Sequence, residues 1–131
     1  MALSVKSHDT INGENTITFL AYLMTIMPCG IIHVILDQAR YHTCHEVKAW
    51  LLLIPRIRLH YLPPYSPNLN AIEPCWKIMH EHTTNNLHHP SFKHFTEKIW
   101  EFLDHTFPQK AKSWTDRLTS NFSIIGAKLA A

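Results

Sequence analysis

The first patterned stretch of the chain follows Asn12-Gly13-Glu14-Asn15, where Phe19, Leu20, Leu23, Met24 and Met27 recur at helical spacing until Pro28. This predicts an amphipathic helix opened at Asn12. After Gly30 the pattern changes. Ile31-Ile32-His33-Val34-Ile35-Leu36 is a short apolar run ending at Asp37, the pattern of a strand covered on both faces in a parallel or mixed sheet. Thr43-Cys44-His45-Glu46 then has capping-box spacing, and Val47, Trp50, Leu51 and Ile54 form one helical stripe before Pro55. Ile57, Leu59 and Tyr61 alternate with Arg58 and His60, which predicts a half-buried strand running into a stiff loop, Pro63-Pro64-Tyr65-Ser66-Pro67.

Asn70-Ala71-Ile72-Glu73 repeats the capping-box spacing, and Ile72, Trp76 and Met79 continue a helical stripe. Pro74 lacks a backbone donor, so it confines the helix start to a turn or so upstream and places Glu73 in or beside the first turn. Ser91 is a cap for a further helix with the face Phe92, Phe95, Ile99, Phe102 and Leu103, closed by Pro108. A last helical pattern carries Ala111, Trp114, Leu118 and Phe122. The order helix, strand, helix, strand, then three helices describes part of an α/β domain, a sheet flanked by helices. Two strands cannot bury both faces of a stable sheet, so either residues 1–11 contribute more strand or the sheet's beginning lies outside this chain, and the second is favoured.

Composition narrows the picture. With 131 residues, 46% of them apolar, the chain is sized for one domain with a modest core. Lys and Arg number 12 against 10 Asp and Glu, a net +2 that announces no nucleic-acid partner by itself. The 11 His add cationic character only as the pH falls. Cys29, Cys44 and Cys75 are odd in number and unpaired in spacing, which fits reduced thiols and a cytoplasmic location. No secretory leader is apparent at the start. Residues 17–36 carry no Asp, Glu, Lys or Arg, but Pro28-Cys29-Gly30 breaks them near the middle, so no membrane partner is expected. No His or Cys spacing supports a zinc site.

The candidate chemistry lies in two carboxylates. Asp37 follows a strand directly, where open α/β sheets place their ligands. Glu73 opens a helix reached from the next strand through the Pro-rich loop. Oxygen ligands of this kind suit Mg²⁺ or Mn²⁺, and two such ions can drive displacement at a phosphodiester. Taken singly, Asp37 reads as a solvated turn residue and Glu73 as a capping partner. Arg40, His42 and Lys77 lie beside the carboxylates, where they can meet DNA phosphate or simply be solvated. Tyr65 can pack on a nucleotide or buttress its loop, and the loop role is favoured. The four Trp, at 50, 76, 100 and 114, fall on or beside helical stripes, as core packing requires.

Two segments change the weighting: His33-Val34-Ile35-Leu36-Asp37-Gln38-Ala39-Arg40-Tyr41-His42, and Leu62-Pro63-Pro64-Tyr65-Ser66-Pro67-Asn68-Leu69-Asn70-Ala71-Ile72-Glu73-Pro74-Cys75-Trp76-Lys77. Together they closely resemble the mariner-related insertion-sequence transposases of the DDE superfamily, over roughly residues 12–107, with residues 108–131 as a terminal helix and tail. The 35 residues between the two carboxylates, positions 38 to 72, also match that family's spacing. The resemblance implies a partial ribonuclease-H-like fold and a two-metal site using Mg²⁺ or Mn²⁺, in which Asp37 is the second catalytic Asp and Glu73 the catalytic Glu. It further implies DNA cleavage and strand transfer, with transposon ends and target DNA as partners. Gln38 stands where the family commonly has Asn. The family's first Asp lies on an earlier strand, and Asp9 has no strand pattern ahead of it, so the role is not carried to Asp9. The chain is therefore expected to be an amino-terminally truncated catalytic domain. It would be inactive unless complemented by a separately encoded amino-terminal part; the alternative is a non-catalytic remnant that dimerises with or modulates an intact transposase. A homodimer is compatible with either.

Overall fold

A computed structural model describes residues 3–70 and 72–119, apart from the side chain of Thr119. The chain divides into two compact units, one spanning Ser4–Ser66 and the other the described residues from Pro67 onward with Leu3.

In the first unit, helix α1 (Gly13–Ile26) begins where Asn12 and Asn15 exchange hydrogen bonds, each amide oxygen accepting the other's backbone N–H at 3.0 and 3.3 Å. Its carboxyl end is closed from a distance. The Arg56 guanidinium donates to the carbonyl of Met27, the cap residue, at 2.6 Å and to that of Gly30, in the turn beyond, at 3.0 Å. Gly30, at a φ of 81°, takes the left-handed turn into strand β1 (Ile32–Leu36). A single turn, α2 (Arg40–Thr43), leads to α3 (His45–Leu52), and strand β2 (Ile57–Tyr61) returns beside β1.

The two strands are parallel, with Ile32 opposite Ile57 and Leu36 opposite Tyr61. The architecture is thus α/β around a small parallel sheet, as a partial ribonuclease-H-like domain requires. Leu20, Ile32, Val47 and Ile57 form the core, with Ile17, Leu23, Met24, Trp50, Leu51 and Ile54 packed against it. Each fully buried aliphatic side chain is worth about 1.5–3 kcal/mol relative to exposure.

Three expectations for this unit need correction. The apolar run of β1 is covered on one face only: Ile32 and Leu36 are buried, whereas His33 and Ile35 are exposed, Ile35 at 66%. Among the described residues nothing is layered over that side, so apolar composition alone overstates the cover. Met27 is exposed and lies past the helix rather than in its stripe. The capping box at Thr43 does not form. Cys44 occupies the cap position, because Thr43 already belongs to α2 and its hydroxyl donates back to the Ala39 carbonyl at 3.4 Å.

The second unit is helical. Pro67–Leu69 form a 3-10 turn, and α4 (Ile72–Thr83) follows, with the Ile72 N–H donating to the Asn70 side-chain oxygen at 3.2 Å. Its buried face is Cys75, Ile78, Met79 and Thr83; Ile72 and Trp76 flank that stripe rather than define it. Ser91 caps α5 (Phe92–Glu101) by accepting the His94 N–H at 3.2 Å, as expected. Phe92 is exposed, while Phe102 and Leu103 are buried.

Pro108 does not close this helix. The chain widens into a π turn (Phe102–Thr106), where the Phe107 N–H reaches the Phe102 carbonyl, and Pro108 then sits in the first turn of α6 (Phe107–Lys110), where its missing donor costs little. A 3-10 turn (Ala111–Trp114) and α7 (Thr115–Thr119) complete the described chain, burying Ala111, Trp114 and Leu118. Phe122 lies outside the described residues. Among the described residues, no helix is long and apolar enough to cross a membrane.

Candidate active site

Asp37 leaves the sheet at its carboxyl end. The Leu62 N–H donates to the Leu36 carbonyl at 2.8 Å, and the Gln38 side-chain amide donates to the Leu62 carbonyl at 2.9 Å, so the segment after each strand is tied to the other. This fixes the backbone from which Asp37 projects. Its carboxylate is about half exposed, with 53% of the side chain accessible. One oxygen, Oδ1, accepts two hydrogen bonds, from the Ala39 N–H at 3.0 Å and from His42 Nδ1 at 2.8 Å. Among the described residues no donor reaches Oδ2.

The neighbouring candidates divide. His42 is turned onto Asp37, and its ring meets the Tyr41 ring edge-on with centroids 4.5 Å apart. Arg40, two residues earlier, is exposed, and its side chain makes no hydrogen bond or ion pair among the described residues. Tyr65 does not buttress its loop: the side chain is fully exposed. Its φ of 56° is a conformation that β-carbon sterics disfavour, so the proline-bounded backbone holds the loop and the ring stands free of it.

In the second unit, Glu73 lies in the first turn of α4 as Pro74 required; its N–H donates to the Asn70 carbonyl at 3.1 Å, and its exposed carboxylate makes no hydrogen bond or ion pair among the described residues. Lys77 follows one turn later on the same helix face, also exposed. Glu81, a further turn on, is held by Arg117 of α7 at 2.7 and 2.8 Å. Those hydrogen bonds, with smaller help from the nearby positive charges of Arg117, Lys77 and His82, keep its carboxyl below the usual range. Cys75, on the opposite face, is buried, and burial pushes its thiol pKa up, away from reactivity. Among the described residues no three His, Cys, Asp or Glu side chains gather in metal-binding geometry.

Two contributors escaped the sequence reading. The Tyr61 hydroxyl donates to the His42 carbonyl at 3.0 Å, fixing α2 against the end of β2, and burial raises the pKa of that hydroxyl, with the Cys44 thiol adding to the rise. The Ala39 N–H holds Asp37 directly. The first could have been anticipated from parallel pairing, which sets Tyr61 opposite Leu36. The second is a backbone donor that no residue pattern announces.

The strand-end Asp37, with an open oxygen, and in the second unit the exposed Glu73 at a helix start each offer oxygen donors of the kind hard divalent cations prefer. Residues 2–96, which include both, match the family described as DDE superfamily endonuclease, and the chain belongs to that family. The insertion element IS630 uncharacterized 39 kDa protein of Shigella sonnei is 28% identical to it over 101 residues, covering 74% of this chain and 29% of that protein. The uncharacterized protein y4pE/y4sA of Sinorhizobium fredii (strain NBRC 101917 / NGR234) is 40% identical over 53 residues, covering 40% of this chain and 36% of that protein. The chain thus spans about a third of the length of these curated relatives. No solved structure matches it at a significant level.

Proposed function

We propose that the chain is part of a transposase catalytic domain whose chemistry is metal-dependent cleavage and transfer of DNA strands. Asp37 and Glu73 are two of its carboxylate ligands, in the positions that the mariner-related pattern gives to the second Asp and the Glu. The observation that carries this reading is Asp37 itself, a carboxylate at the end of a parallel strand with one oxygen held by two donors and the other free. Bound to these carboxylates, Mg²⁺ or Mn²⁺ would activate a water or a 3′-hydroxyl and stabilise the leaving oxygen of a phosphodiester. The remaining work falls to the chain. Arg40 and Lys77 offer exposed cations to phosphate, and Tyr65 presents an unpacked ring to a nucleotide.

The test is purified chain incubated with supercoiled DNA and Mg²⁺ or Mn²⁺, alone and with an added amino-terminal transposase segment that ends in a strand-borne Asp. Nicking is expected with the added segment. It should be abolished by EDTA and reduced at least about a thousandfold by Asp37→Ala or Glu73→Ala, the scale set by losing ligands that stabilise transition-state charge. Robust nicking that persists in both variants defeats the assignment.

A second reading is favoured by Asp9, which lies exposed in a bend ahead of α1 rather than at a strand end. A chain lacking the third carboxylate would act as a non-catalytic remnant that pairs with an intact transposase and touches DNA without cutting it. Binding to the intact enzyme with no nicking in either arm supports that reading.

A further inference from the structure

We infer that His42 is a positioning residue for Asp37: with the Ala39 N–H it ties down one carboxylate oxygen, so that the other is presented at a fixed angle to a divalent cation. The inference rests on the proposed role of Asp37 as a metal ligand. Oδ1 of Asp37 lies 2.8 Å from His42 Nδ1 and 3.0 Å from the Ala39 nitrogen. A carboxylate oxygen only accepts, so Nδ1 must carry the proton; that holds for the neutral ring in one tautomer and for the charged ring alike. The backbone carbonyl of Asp37, 3.3 Å from the same Nδ1, is a second acceptor and demands the same tautomer.

The ring that donates is itself constrained. Its side chain is only 23% exposed, and Tyr41 meets it edge-on at 77°. The backbone of His42 is fixed from both sides, by the Tyr61 hydroxyl on its carbonyl at 3.0 Å and by its own N–H donating to Ala39 at 2.9 Å. The end of β2 therefore sets α2, α2 sets the imidazole, and the imidazole sets the carboxylate. The rotation of an Asp carboxylate about its last bond is otherwise broad and two-fold, offering either oxygen to a cation. Fixing one oxygen removes that freedom before the cation arrives, as outer partners do for metal ligands generally. With Nδ1 engaged by Asp37, only Nε2 remains for a contact with DNA phosphate.

Long-range ¹H–¹⁵N spectra of the histidine rings and Mn²⁺ titration calorimetry test this on the intact chain. His42, identified by its absence from His42→Asn, should show the Nδ1–H tautomer, and that preference should weaken in Asp37→Ala, where only the backbone carbonyl at 3.3 Å remains to accept. His42→Ala should weaken Mn²⁺ binding about ten- to a hundredfold, the usual effect of losing such a partner. His42→Asn, whose amide N–H stands where Nδ1–H stood, should restore binding to within about threefold, while His42→Gln, which places its amide at the Nε2 position, should not. A merely structural role would make Asn and Gln equally poor. Loss of Mn²⁺ binding in Asp37→Ala without loss in His42→Ala overturns the positioning role alone. Absent binding in the unaltered chain, or unchanged binding in Asp37→Ala, overturns the ligand assignment and the positioning role together.

Discussion

Gly13 and Cys44 approach so closely that a β-carbon on Gly13 would stand 2.5 Å from the Cys44 sulfur. Replacing an ordinary helical Gly by Ala stabilises by about 0.5–1 kcal/mol. Here that gain is opposed by overpacking, which costs about 1–3 kcal/mol, so Gly13→Ala is expected to lower stability in urea unfolding. In a Cys44→Ala background the obstructing sulfur is gone and the same substitution should become stabilising, a sign reversal that a double-mutant cycle reads directly. If Gly13→Ala costs the same in both backgrounds, the close approach does not govern the site. Single residues of this kind were poorly legible in the sequence. Gly13 reads only as part of a helix start, and His42 reads as a surface cation until the 2.8 Å contact with Asp37 is seen. The places of Asp37 and Glu73 in the fold were legible, because a strand end and a proline-limited helix start are marked by local pattern.

Elements were legible where periodicity and caps agree, as in α1, β1, β2 and α5, each close to its expected place. They were misread where a single residue was taken as a full stop. Pro108 marks a helix end by rule, yet the π turn before it absorbs the missing donor. Ser91→Ala removes the hydroxyl that caps α5 and is expected to cost about 1 kcal/mol in thermal or urea unfolding, whereas Ser91→Asp should hold stability near the starting value. The pairing of Glu81 with Arg117 links α4 to α7 and carries a pH signature. Glu81 is depressed below its usual value of 4.5, first by the Arg117 hydrogen bonds. Its contribution is therefore fully present above that value and is lost as the pH falls through the depressed one. The melting-temperature gap between the unaltered chain and Glu81→Gln should be open at neutral pH and close as the pH falls through the depressed value. A gap that stays constant through acid would show that the pair contributes nothing pH-linked.

For the molecule as a whole, the sequence overstated how much apolar surface is covered. Leu52 and Leu53 at the end of α3, outside its predicted stripe, are exposed, Leu52 at 87%; exposed as well are Ile35 on the open sheet face and Phe92 at the start of α5, both read into covered faces. A pattern reader counts such residues toward a core because hydrophobic spacing reports what a face can bury, not what is available to bury it. An uninterrupted run like residues 31–36 signals cover on both sides, and among the described residues only one side receives it. Exposed apolar side chains contribute little to folding and much to association. Ile35→Thr and Leu52→Glu should thus each change unfolding free energy by no more than about 0.5 kcal/mol, while Val47→Ala, at a position with no exposure, should cost about 2 kcal/mol or more. Light scattering of the concentrated chain should fall when the two surface changes are combined and its circular dichroism should stay unchanged. A combined variant that unfolds, or that scatters as strongly as the unaltered chain, would mean that these side chains are engaged in folding the chain after all.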